Sequence, residues 1–159
     1  MCDYCGCRRQ PVIDELSEEH EHLLEQVSRL RRQARSGSHD EVARVLSTHV
    51  VPALAVHTTK EERGIFTELR RSWVADDRLD ALVGEHRAIE ELIGRILAAE
   101  DGWRPLVREL ADELSGHIVD EETDLFPYAL YELTPTQWEA VEGLHRDLRD
   151  REAASTVTA

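Results

Sequence analysis

The chain has 159 residues and carries 33 acidic against 19 basic side chains, a formal net charge of -14. That length suffices for one domain with a sizeable core. The acidic balance argues against binding nucleic-acid phosphates or adhering to anionic membranes, since both need a basic footprint. No apolar run reaches the roughly 18 residues of a membrane span, and the polar N-terminus does not read as a signal peptide.

Residues 1–9 read as a separate arm that holds all three cysteines, Cys2, Cys5 and Cys7. An odd number confined to one end is not a disulfide framework, so the sequence points to a reducing cytoplasm. The C-x2-C-x-C spacing brings three thiols close. They suit a soft metal or a redox-switched disulfide, but are one short of a closed zinc site. A thiol tail with no role is an equal alternative.

The bundle is expected over residues 10–152. From 11 to about 35, Ile13, Leu16, Leu23, Val27 and Leu30 recur at a helical period. SGSH breaks the pattern, and Ser38 with Glu41 makes a capping box for a second helix, which runs to about 71 with a kink expected at Pro52. A third helix, from about 78 to 99, carries Leu79, Leu82, Val83, Ile89, Ile93 and Leu97. DGW at 101–103 is the next break, and Pro105 suits the first turn of a fourth helix bearing Leu106, Leu110, Leu114, Ile118 and Leu125. Thr134, Pro135 and Gln137 predict a short fifth helix to about 151, with 153–159 a disordered tail. Strand signals are almost absent. The predicted fold class is therefore all-α, an up-down-up-down four-helix bundle with a short fifth C-terminal helix.

Two stretches echo each other: HTTKEERGIF from His57 and HIVDEETDLFP from His117. In each, a glutamate stands four residues after the histidine, on the same helix face and about 5–6 Å away at Cβ. Phase places His57 and Glu61 on the apolar stripe of helix two, and His117 and Glu121 on that of helix four. His20 falls on the stripe of helix one, whereas His22 lies on another face. His86 sits within the stripe of helix three, and Glu90 shares that side. A lone core histidine is usually a hydrogen-bonded core residue. Four on four helices, with carboxylates that are expensive to bury bare, call for a compensating cation.

No cysteine joins this set, which argues against structural zinc or an iron–sulfur cluster. H-E-x-x-H is absent, and the Glu-x-x-His order of ferritin-type carboxylate bundles is reversed here. Mixed imidazole and carboxylate ligands suit iron, manganese or zinc, and paired carboxylates with four histidines favour a dinuclear iron centre. Of the remaining polar residues, Glu62 and Glu122 are expected in solvent, with either as an alternative ligand, and His22, His39, His49 and His145 on the surface or flanks. Phe66, Phe126, Trp103 and Trp138 read as core or end plugs. Gly64 and Gly116 are candidates for close helix approach.

The segments EEHEHLL, HTTKEERGIF, EHRAIEELI and HIVDEETDLFP resemble the hemerythrin HHE cation-binding domain family over roughly residues 10–130. The resemblance implies a four-helix bundle around a non-haem, usually di-iron, centre. It also implies the ligands His20, His57, Glu61, His86, His117 and Glu121. Oxygen-carrying members have a further histidine where this chain has Glu90, so Glu90 is expected as a ligand or as an acceptor orienting one. The function expected is the binding, sensing or detoxification of oxygen, nitric oxide or peroxide. Oxygen activation for an organic substrate and iron storage or delivery are the alternatives. A substrate-sized pocket beside His86 would favour the former alternative, and a sealed bundle the small ligand.

Overall fold

The computed structural model describes residues 9–72 and 76–157, so the expectations for Cys2, Cys5 and Cys7 lie outside the described residues. These residues form five helices and, among them, no strand: α1 (Pro11–Ser36), α2 (residues 39–71), α3 (Asp76–Ala98), α4 (residues 103–132) and α5 (Pro135–Val157).

The helix starts follow local chemistry. Pro11 opens α1, and the Gln10 side chain accepts the Val12 N–H at 2.8 Å. At α2 the capping box forms, with the Ser38 N–H donating to Glu41 at 2.9 Å and the Glu41 N–H to Ser38 Oγ at 3.3 Å. Gly102 precedes α4 at φ 72°, a left-handed conformation open to glycine. Thr134 and Gln137 exchange the same reciprocal bonds at 3.1 and 3.4 Å ahead of α5. That helix is not short: its 23 residues equal those of α3, and it continues to Val157, past the expected end near 151.

α2 and α4 are not regular throughout. α2 contains π turns at Leu46–Val50 and Glu61–Ile65, and α4 contains one at Glu121–Leu125. The first lies just ahead of Pro52, where the Val51 N–H donates five residues back to the Leu46 carbonyl. Proline lacks an N–H and pushes away the carbonyl four residues earlier, so the wider turn absorbs the mismatch.

Two apolar clusters sandwich a polar layer. On α1 the order is Val12, Ile13 and Leu16 of one cluster, then His20, then Leu23, Val27 and Leu30 of the other. α3 runs the same way, from Leu79 and Leu82 through His86 to Ile89 and Ile93. α2 and α4 traverse the clusters in the opposite order, ending on Leu69 and Ala129 respectively. α5 closes over α2 at Gly64, where a Cβ would lie 3.0 Å from Val141 Cγ1. Gly116, by contrast, is exposed, and a Cβ there would meet nothing within 4 Å, so the close approach expected of it is not found.

Candidate metal centre

The polar layer gathers six side chains from four helices. His20, Glu61 and Glu121 are 0 % exposed, His57 and His86 2 %, and His117 4 %. Their inward atoms lie close together. His57 Nε2 is 3.3 Å from Glu61, His86 Nε2 3.4 Å from Glu61, and His20 and His117 Nε2 are 3.2 and 3.3 Å from Glu121. The Nε2 atoms of His86 and His117 stand 2.9 Å apart. Two donors held about 2.0–2.1 Å from one cation are separated by about this much. The atoms form two overlapping groups, His20, His57, Glu61 and Glu121, and Glu61, His86, His117 and Glu121.

The outward nitrogens are equally organised. Nδ1 of His20 donates to Glu122 at 3.0 Å, of His57 to Glu19 at 3.0 Å, of His86 to Glu62 at 2.8 Å and of His117 to Glu85 at 2.7 Å. An ionised carboxylate can only accept, so it fixes the proton on Nδ1 and turns the Nε2 lone pair inward. That is the tautomer a metal-binding imidazole needs. Phe126 stacks on His20 and Phe66 on His86, with ring centroids 5.6 and 5.9 Å apart.

These contacts repeat with twofold correspondence. α1 matches α3 through the dipeptides Glu19-His20 and Glu85-His86. α2 matches α4 through His57, Glu61, Glu62 and Phe66 against His117, Glu121, Glu122 and Phe126. The histidine of α1 is oriented by Glu122 of α4, and that of α3 by Glu62 of α2.

Inside the layer, His20 Nε2, His57 Nε2 and all four carboxylate oxygens of Glu61 and Glu121 are buried without a hydrogen-bond partner among the described residues. Leaving several polar atoms so placed is costly unless a ligand pairs them, and the donor set fits a cation. The electrostatics agree. Burial disfavours the Glu61 anion, but His57, His86 and His20 outweigh it and hold this carboxyl well below the usual range. Burial and the Glu61 charge push Glu121 well above that range. Burial also disfavours charged His57, yet Glu61 and Glu19 drive the ring up to about 9.

Six of the seven residues expected from the sequence thus converge. Glu90 does not join them: it is exposed between α2 and α3, because the inward line of α3 passes from His86 to Ile89 and Ile93. A cleft of about 310 Å³ beside His86 has Thr58, Glu62 and Glu90 among its walls. Its walls include Glu62, the partner of His86 Nδ1, and, of the six converging side chains, His86 alone.

Other expectations are corrected. Glu62 and Glu122 are hydrogen-bonded to histidines; Glu122 is 10 % exposed, whereas Glu62 keeps 37 % of its side chain in solvent. The π turns beginning at Glu61 and Glu121 place each glutamate pair in a widened turn, and a neighbouring helix brings its histidine to the second member. His145 is 1 % exposed and donates from Nδ1 to Glu15 at 3.0 Å. It packs beside Gly64, together with Val141 and Leu144. His22 and His49 are exposed as expected, and His39 packs at the flank, 2.7 Å from the Ile96 carbonyl. Glu19 and Glu85 were not marked by helical phase. The repeated Glu-His dipeptide is the signal that identifies them.

The model of the Hemerythrin HHE cation binding domain family matches residues 12–129. No curated protein and no solved structure matches the chain.

Proposed function

Because the chain belongs to the hemerythrin HHE cation binding domain family, we propose that it is a non-haem di-iron protein that binds or reacts with oxygen, nitric oxide or peroxide, in sensing or detoxification. The observation that carries this reading is the sealed centre: two overlapping four-residue donor groups share Glu61 and Glu121, both 0 % exposed. In this reading α1–α4 run up-down-up-down, consistent with the alternating order of the apolar clusters along them.

His20 and His57 would hold one ion, His86 and His117 the other, and Glu61 and Glu121 would lie between. Bound iron would supply the electrons that a diatomic ligand or peroxide draws on. The chain's own part is positional. The four outer glutamates lock the imidazole tautomers, Phe66 and Phe126 cover two rings, and the apolar clusters above and below exclude water. Of the six converging side chains only His86 lines the cleft, and it is 2 % exposed, which favours a small ligand over an organic substrate. Iron is preferred to manganese or zinc because the paired carboxylates stand with four histidines. No helix among the described residues is long and apolar enough to cross a membrane. Cysteine usage supports a cytoplasmic location.

Elemental analysis of anaerobically purified protein, followed by visible spectra of the reduced form mixed with each ligand, tests the proposal. Two irons per chain and a ligand-dependent charge-transfer band are expected. Fully helical protein that takes up no transition metal would refute it.

A further inference from the structure

The histidines, the glutamate pairs and the stacking phenylalanines of the two halves correspond, but the residue before each inner glutamate differs in charge. Lys60 precedes Glu61, whereas Asp120 precedes Glu121. Asp120 is exposed. Lys60 is 2 % exposed, and its Nζ donates to Glu15 at 2.8 Å and to Glu19. Glu19 is the carboxylate that accepts from His57 Nδ1. Its counterpart Glu85 pairs, among the described residues, with His117 alone. One half of the centre therefore carries a buried cation on its outer carboxylate.

That cation is itself held in place. Glu15 accepts from His145 at 3.0 Å and from Arg149 at 2.6 Å, both on α5, which lies beyond the family match at residues 12–129. A continuous polar chain thus runs from α5 through Glu15, Lys60 and Glu19 to His57. A carboxylate that accepts from a ligating imidazole strengthens it as a donor. An ammonium on the same carboxylate offsets that effect, and does so strongly where solvent screening is weak.

We propose that Lys60 is a positioning residue that makes the two metal positions electronically unequal: by neutralising Glu19 it weakens His57 as a donor and favours the reduced ion at the His20/His57 position. This rests on the metal-centre reading above. α5 is the element that fixes the bias, through His145 and Arg149 on Glu15.

The test is a redox titration of metal-loaded, full-length protein, monitored by absorption of the oxidised centre, with metal content measured in every sample. In Lys60→Met the ratio of oxidised to reduced centre at a fixed potential should rise by on the order of tenfold. Lys60→Arg should restore the wild-type balance, and Glu19→Gln should move it the opposite way. A merely structural role would shift Lys60→Met and Glu19→Gln in the same direction. Should Lys60→Met not fold, Arg149→Met, altered at the surface, should show the same sign with smaller size. Metal-loaded variants with an unmoved balance, or two shifts of equal sign, would overturn the role of Lys60 alone. Wild-type protein that takes up no redox-active metal would overturn the centre and this role with it.

Discussion

Glu61 and Glu121 reach the same histidine from different helices: His20 Nε2 lies 3.8 Å from the first carboxylate and 3.2 Å from the second. They are nonetheless driven apart, Glu61 towards the anion and Glu121 towards the acid. His57, pushed up to about 9, also holds a proton at neutral pH. A metal ion needs neutral imidazole and ionised carboxylate, so its binding must expel these protons. Metal uptake in weakly buffered solution is expected to release protons, and metal affinity to rise with pH up to about 9. Indicator-dye and chelator-competition titrations measure both. Uptake without proton release contradicts the assignment. For metal-free protein, the contribution of His57 to stability is complete below its ordinary value of 6.5 and is lost as pH rises through about 9.

His20 and His22 separate by helix face. His20→Ala should strip metal from the protein by at least the 10- to 100-fold loss in affinity typical of disturbed metal shells, roughly. His22→Ala should bind as wild type, because His22 is exposed. Elemental analysis after dialysis distinguishes them, and equal losses would contradict the placement.

Glu90→Ala should retain full metal content, since Glu90 is exposed and belongs to neither donor group. Glu61→Ala and Glu121→Ala should not. Metal loss in Glu90→Ala as deep as in the other two would return Glu90 to the centre.

Glu15 carries the acid sensitivity of the α1–α2–α5 junction. Burial raises its carboxyl, but hydrogen bonds from Lys60, Arg149 and His145 prevail and lower it from 4.5 to about 2. Its contribution to stability is complete above 4.5 and is lost as pH falls through about 2. Thermal unfolding across that window should be flatter in Glu15→Gln than in wild type. Parallel profiles would remove Glu15 from the acid transition.

Gly64 and Gly116 should respond differently to a methyl group. Gly116→Ala, on an open helical face, is expected to stabilise by about 0.5–1 kcal/mol. Gly64→Ala places Cβ 3.0 Å from Val141 Cγ1 and should gain less or lose stability as α5 is displaced. Chemical denaturation of the two variants gives the comparison.

The helices were legible because their apolar stripes are regular, and the six converging side chains were legible because they interrupt those stripes in phase. The limits are also physical. Glu90 is four residues after His86, but the core line of α3 drifts to Ile89, and phase counted at a fixed angle cannot follow that drift. Glu62 and Glu122 escaped because π turns change the rotation per residue where they lie. His145 escaped because its burial depends on how α5 packs against α1 and α2, a tertiary contact that brings it to Glu15, 130 positions away.

The outer hydrogen bonds close into a hoop. α1 is tied to α4 through His20 and Glu122, α4 to α3 through His117 and Glu85, α3 to α2 through His86 and Glu62, and α2 back to α1 through His57 and Glu19. Each helix of the four gives one histidine and one glutamate to this circuit, so removing any one opens it at two places. A fragment ending after α2 keeps only the His57–Glu19 link, and its complement beginning at α3 keeps only His117–Glu85. Such fragments would meet across the His20–Glu122 and His86–Glu62 links, with a metal ion as the rivet that joins them.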